Sequence, residues 1–450
     1  MASTSIAANH RLPQSTVTNI RRLVWGEDVK LDVFLRWTQE FTFSKEEPTA
    51  LVQLDGGPCA VIAPLQAYFL KSLIFDSPKE DWRNISEEEQ KQYFCSALSD
   101  ALTQVKSGSS FYVVYKSLPE KDESSTSEDN RSGSHDSDEG GSSPKKRKLN
   151  DEEFHEELRC ESCETPEDLR KYVEDHSGAF LSQYGVLLAL YSMVLTKGID
   201  QIKNEVEDPS EPLIDPVHGH GSQSLVNLFL TGRAVSNVWD NDKDVSGLKL
   251  HGVHRRATIG YMTLLEHLRY LEVGWYLKNP EYPLWLLGSE THLTVLFLLD
   301  KNLVGHESPD AAARRAFGAY DKEGSGFIQT DKLGELLQSV ELVSEPEYVK
   351  IMADKLDPEQ LGIITLNGFM EEFYPSSGAN TAFTFSLYHY NGLQRSGRSN
   401  KVQYSEGEAM IMEHPEVQII TDTSAIKTCL MTKWPTIELK WKDNFIPSLN

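Results

Sequence analysis

Apolar residues run almost unbroken through AVIAPLQAYFLKSLIF, residues 60–75, and occupy nearly every face of a helix of that length. A helix that is hydrophobic all round is buried, so this one is expected at the centre of the fold, with Pro64 imposing a kink or a tight first turn. A second apolar run, AFLSQYGVLLALYSMVLTKG at 179–198, is interrupted by Ser182, Gln183 and Ser192. Those polar residues are costly in lipid, so the run reads as a buried helix and no membrane span is expected. SEEEQKQYFCSALSDALTQV predicts another helix, with Ser86 and Glu89 as a capping box and Tyr93, Ala97 and Leu98 as its apolar stripe. FYVVYK at 111–116 is strand-like, and Thr165-Pro-Glu-Asp168 marks the helix start where folding resumes after a polar interval. GHGSQSLVNLFLTGRAVSNVWD, 219–240, reads as a glycine-rich loop entering a short helix. TIGYMTLLEHLRYLEV reads as an amphipathic helix with His267 as a structural residue, and the apolar run Pro283–Leu287 meets the strand-like HLTVLFLLD across the turn GSE.

The pattern stops between 119 and 150. PEKDESSTSEDNRSGSHDSDEGGSSPKKRKLN carries almost no apolar residues and cannot bury enough surface to offset chain entropy, so it is expected to be a disordered linker. Its basic end, Lys145–Lys148, stands out against an acidic chain and predicts a nuclear import signal read by an import receptor, with a cytoplasmic share of the protein as well. The serines and acidic residues beside it suit phosphorylation.

The formal net charge of −24 disfavours a nucleic-acid partner. The N-terminus lacks the continuous apolar core of a secretory signal. Five cysteines, at 59, 95, 160, 163 and 429, form no disulfide framework and suit a reducing compartment. Cys160-x-x-Cys163 has no second pair to complete a zinc site, and Asp215, His218 and His220 lack a further ligand at a known spacing. The latter three are expected to be loop residues lining a substrate path; no metal and no cofactor is expected.

Residues 311–374 have the helix–loop–helix rhythm of two EF-hands. Candidate loops start at Asp321 and Asp357, with Gly326 and Gly362 at the sixth position and Ile328 and Ile364 at the eighth. The twelfth position, which should supply a bidentate glutamate, is Lys332 in one loop and Gly368 in the other. A protein-binding lobe is expected there in place of a calcium sensor.

GGPCAVIAP, 56–64, joins a cysteine to the buried helix. Gly56 and Gly57 permit unusual backbone angles, Pro58 suits a first helical position, and the helix N-terminus is expected to lower the Cys59 thiol pKa. Gln53, six residues upstream, is a neutral donor suited to an oxyanion hole. His292, at the head of a predicted strand, is the candidate general base. Asn391 is expected to orient it, with Asp300 as the alternative.

The stretches QLDGGPCAVIAPLQAYFLKSLIF, GHGSQSLVNLFLTGRAVSNVWD, GSETHLTVLF, YHYNGL and TKWPTIEL together resemble the MINDY family of cysteine deubiquitinases, in particular the paralogue with an EF-hand-like insertion. The resemblance runs from about residue 23 to the C-terminus. It implies an α+β, papain-like cysteine protease fold, with Cys59 as nucleophile, His292 as base and Gln53 at the oxyanion. The substrate implied is polyubiquitin, with lysine-48 linkage preferred. The chain then divides into a flexible leader (1–22), a catalytic domain in three parts (23–118, 151–305 and 379–450), the linker (119–150) and the EF-hand-like insertion (306–378). The ubiquitin-interacting helix that gives the family its name is not evident before Asn450. SEEEQKQYFCSALSD resembles one faintly but reads better as core. A catalytically silent ubiquitin-binding scaffold and an EF-hand adaptor are the alternatives.

Overall fold

A computed structural model describes residues 10–116, 149–245, 247–304, 309–321, 326–375, 383–411 and 422–450. It has a mixed α+β architecture organised on a six-stranded sheet. In spatial order the strands are Ile437–Trp441, Ser405–Ile411, Phe383–Tyr390, Leu293–Phe297, Leu284–Gly288 and Gly260–Thr263. All pairings are antiparallel except the last, which is parallel.

Period two explains why Leu284–Gly288 and Leu293–Phe297 are buried at every position. Leu284, Leu286, Leu293, Val295 and Phe297 face the main core with the Cys59–Lys71 helix. Trp285, Leu287, Leu296 and Leu298 face a second core, closed by Ile426, Cys429 and Leu430 of the helix Ala425–Met431. Strands covered on both faces lose the polar alternation of a half-exposed sheet.

The Cys59–Lys71 helix is buried from Cys59 to Leu70, and a π-helical turn, Ser72–Asp76, extends it. Cys59–Asp76 is long and apolar enough to cross a membrane by length and composition, yet 78% of it is buried inside the fold. The helices Glu87–Val105 and Gly185–Lys197 pack in the same core, the former with both halves of the Ser86–Glu89 capping box formed.

Four expectations are corrected. The leader expected over 1–22 does not reach that far: Gln14–Trp25 is a helix burying Val17, Ile20, Leu23, Val24 and Trp25. The apolar spacing is helical there, diluted by the polar residues between. The chain is already folded at Asn150, well before Thr165. Asn150 caps a short helix, and Leu158–Cys163 is the central strand between His10–Arg11 and Phe111–Lys116. Cys160 and Cys163 are both buried on that strand, and three residues apart on a strand they face opposite ways. The expected helix at 258–273 is instead the strand Gly260–Thr263, with only a four-residue helix, Leu264–His267, after it. Pairing with Leu284–Gly288 overrides the local pattern, and Gly260 is needed because a Cβ would lie 2.3 Å from the Trp285 ring. His267 is consequently exposed and not part of the core.

Residues 117–148, which include Lys145–Lys148 and all but the last two residues of the linker expected at 119–150, lie outside the described residues. Between the two central strands Leu293–Phe297 and Phe383–Tyr390 the described residues include four α-helices, Pro309–Tyr320, Leu333–Ser339, Pro346–Leu356 and Leu366–Phe373. They share a separate core, and the short strands Phe327–Gln329 and Ile363–Thr365 pair through Ile328 and Ile364. Gly326 and Gly362 take positive φ, and their amides donate to Asp321 and Asp357 Oδ2 at 2.7 Å each.

Candidate active site

The sheet order brings the sequence-distant candidates together. Phe383–Tyr390 returns beside Leu293–Phe297 with Val295 opposite Tyr390, so the residue preceding one strand, His292, meets the residue following the other, Asn391. His292 Nε2 lies 2.9 Å from the Asn391 main-chain oxygen and 3.2 Å from Asn391 Oδ1. Neither oxygen can donate, so Nε2 carries the proton and Nδ1 is left as the acceptor. Asp300 follows the opposite end of the same strand, where its carboxylate accepts from the Asn302 amide at 2.9 Å. It therefore cannot orient His292.

Gln53 joins the same segment. Its amide donates to the Gly392 carbonyl at 2.9 Å and it bridges Leu393 in parallel. Gln66, on the Cys59 helix, holds the run before it by accepting from the Leu51 amide at 2.7 Å and donating to the Thr49 carbonyl at 2.9 Å. The Gln53 side chain is buried, and Nε2 donates to the Asp55 carbonyl at 2.8 Å, its second N–H making no hydrogen bond among the described residues.

Cys59 is the first residue of its helix, and Pro58 takes the N-cap position one residue earlier than expected. Gly57 has φ of 124°, and a Cβ on it would lie 2.7 Å from the Gly219 carbonyl oxygen. Trp37 Nε1 donates to that same oxygen at 3.0 Å, so the 215–221 loop closes over the glycine turn. Asp215, whose Oδ1 accepts from the Val217 and His218 amides, shapes this loop. Gly221 packs against Ala60, and His220 lies near enough that its charge lowers the His292 pKa. His220 Nδ1 is buried with no hydrogen-bond partner among the described residues.

Electrostatics at Cys59 run against the expectation from its helix. The thiol is pushed up to about 11 by burial, which outweighs three groups favouring the thiolate. Those are the Leu293 amide, one residue beyond His292, and the amides of Ala60 and Cys59 at the helix start. Burial also lowers the His292 pKa, partly opposed by the two Asn391 oxygens. Both groups therefore rest uncharged near neutral pH. In this arrangement a thiol and a neutral imidazole are held by adjoining elements.

Sequence reasoning missed the Leu293 amide and a set of contacts around the GSETH turn. Ser289 Oγ accepts from the His292 amide at 3.0 Å, and Asn391 Nδ2 donates to the Ser448 carbonyl at 2.8 Å. A serine and threonine beside His292 were a signal for the first; nothing in the sequence links residue 391 to 448.

Residues 21–317 match the family model described as deubiquitinating enzyme MINDY-3/4, conserved domain. The chain is 48% identical over 438 residues to human ubiquitin carboxyl-terminal hydrolase MINDY-3, covering 96% of this chain and 98% of that protein. It is 42% identical to the Drosophila melanogaster MINDY-3 homolog, over 96% of this chain and 82% of the relative. A probable MINDY-4 of Xenopus tropicalis is 30% identical over 64% of this chain and 36% of its own length. No solved structure gives a significant match.

Proposed function

The chain belongs to the MINDY family of deubiquitinating enzymes, and on that premise we propose that Cys59 and His292 carry out its hydrolysis of ubiquitin–lysine isopeptide bonds. As a member it is a deubiquitinating hydrolase whose substrates are ubiquitin and polyubiquitin. The observation that carries the mechanism is the convergence at one sheet end. The Leu293 amide lies close enough to the Cys59 thiol to favour its thiolate, while His292, the residue before it, is fixed through Nε2 to Asn391.

In the first step the Cys59 sulfur attacks the carbonyl carbon of ubiquitin's terminal glycine as His292 Nδ1 takes the thiol proton. The tetrahedral oxyanion is held by the second N–H of Gln53. Collapse breaks the C–N bond, and His292 passes its proton to the leaving lysine amine. Water then attacks the thioester with His292 as base, releasing the carboxylate and restoring the thiol. Asn391 keeps the imidazole in the tautomer this sequence requires. The family resemblance supports a papain-like relation between the Cys59 helix and the sheet, and a preference for lysine-48-linked chains.

A ubiquitin derivative bearing a C-terminal electrophile tests the assignment. Covalent capture mapped to Cys59, lost in Cys59→Ala and strongly reduced in His292→Ala, is expected. Cleavage of lysine-48-linked chains by Cys59→Ala at the wild-type rate would overturn it.

Residues 309–375 are read as an EF-hand-like pair serving as a protein-docking lobe. Lys332 Nζ, at a position where calcium would need a carboxylate, pairs with Glu335 at 2.7 Å. Nuclear import through Lys145–Lys148 is part of the same proposal. Replacing these four residues with alanine should move the protein to the cytoplasm; an unchanged nuclear fraction counts against the signal.

A further inference from the structure

We infer that Ser448, Leu449 and Asn450 form a brace that positions His292, and that Asn450 is a positioning residue for hydrolysis. The inference rests on the reading of His292 as the general base. Leu449 anchors the segment: it is 2% exposed and belongs to the second core behind the sheet. From that anchor two polar arms reach the histidine by different routes.

The first arm acts on Asn391. A carboxamide has one accepting and one donating end, and the two have nearly the same shape. The Ser448 carbonyl takes the Nδ2 donor at 2.8 Å. Oδ1 is then turned toward His292 Nε2 at 3.2 Å, where it also accepts from the Leu393 amide at 3.1 Å. Without Ser448 the amide loses the contact that fixes its donor end, and a flipped amide would present N–H groups to a nitrogen that must itself donate.

The second arm acts on the turn before His292. Asn450 Oδ1 accepts from Ser289 Oγ at 2.5 Å and from Thr291 Oγ1 at 3.4 Å. Asn450 Oδ1 is the nearer of two acceptors for the Ser289 proton, the His292 carbonyl lying at 3.2 Å, and the hydroxyl offers a lone pair to the His292 amide at 3.0 Å. The Ser289 amide closes the turn by donating to the His292 carbonyl at 3.0 Å. The Asn450 main-chain oxygen accepts from Ser396 Oγ at 2.6 Å, and Ser448 Oγ accepts from the Asn450 amide at 3.0 Å, which keeps the segment itself in one conformation. The ring is thus held from its backbone by Asn450, while Ser448, together with the Leu393 amide, sets which end of the Asn391 side chain stands beside the main-chain oxygen at Nε2.

The test compares Asn450→Ala, Asn450→Asp and deletion of Ser448–Asn450 in the full chain. Hydrolysis of lysine-48-linked polyubiquitin, thermal midpoint and the 15N resonances of the His292 ring are measured. Asn450→Ala should lower kcat about tenfold with little change in KM or thermal midpoint. Asn450→Asp, which keeps an Oδ acceptor, should restore at least half of kcat. The deletion should convert a single Nε2–H tautomer into a mixture. Wild-type kcat in Asn450→Ala, a loss that Asn450→Asp does not rescue, or an unchanged tautomer after deletion would each overturn the brace. The ring resonances do not depend on catalysis, so retained activity in Cys59→Ala would remove the mechanism while the tautomer still decides whether the brace exists.

Discussion

The His292 ring meets Asn391 twice, at the main-chain oxygen (2.9 Å) and at Oδ1 (3.2 Å). That doubling sets the expected size of a mutational effect. Asn391→Ala removes the longer contact without putting a competing N–H in its place, as a flipped amide would, so the main-chain oxygen keeps the Nε2–H tautomer with less restraint on the ring. We expect kcat to fall about tenfold. His292→Ala removes the base itself and should cost about 100- to 10,000-fold. Steady-state cleavage of polyubiquitin by the two variants checks the ordering, and equal losses would show that the main-chain oxygen does not hold the ring.

Burial rather than the helix N-terminus decides the resting state of Cys59. A thiol at about 11 leaves a thiolate fraction on the order of one in 10,000 at pH 7. Alkylation of Cys59 by chloroacetamide, followed by peptide mass spectrometry, should rise about tenfold per pH unit through pH 9. The other buried cysteines, at about 11 to 12, should also react slowly at neutral pH. A Cys59 rate already on a plateau at pH 6 would mean a standing thiolate–imidazolium pair and contradict the uncharged one.

What the sequence revealed and concealed divides along physical lines. The Cys59 helix and the two strands around GSE were legible because burial on all sides forces a continuous apolar run. Asn391 was legible because an eight-residue strand must return beside the His292 strand after the insertion, which brings its end to His292. The strand at Gly260 was not, since LLEHLRYL is locally helical and only parallel pairing with Leu284–Gly288 makes GYMT extended. The Cys59 pKa was misread for a related reason. A helix end is visible in sequence, but the closure of Gly219 and Gly221 over the glycine turn and Ala60 is a tertiary fact.

His389, next to the site, should make the fold acid-sensitive. It is buried with Nε2 2.9 Å from Thr294 Oγ1, and burial depresses its pKa to about 3. The unfolded chain takes up this proton near pH 6.5. Between those values the unfolded state binds more protons, so stability is full above about pH 6.5 and falls as pH drops toward 3. The slope from this one group is about 1.4 kcal/mol per pH unit, and His292, also depressed, adds in the same direction. Urea unfolding at pH 5, 6 and 7 should show a shallower pH dependence for His389→Gln than for wild type. Identical slopes would remove His389 from the acid response.

The two glycines before Cys59 should separate cleanly under substitution. Gly57 has φ of 124°, and an added Cβ would stand 2.7 Å from the Gly219 carbonyl oxygen and 3.1 Å from Trp37 Nε1. The first neighbour is backbone and the second is fixed by its bond to that same oxygen, so neither yields without moving the 215–221 loop. Gly57→Ala should therefore lose about 1–3 kcal/mol of stability and displace the lead-in to the nucleophile. Gly56 has no atom within 4 Å of its added Cβ, so Gly56→Ala should keep the wild-type stability. Denaturant unfolding with polyubiquitin kinetics for both variants decides the matter. A destabilised Gly56→Ala, or a Gly57→Ala as stable as wild type, would contradict the packing of this turn.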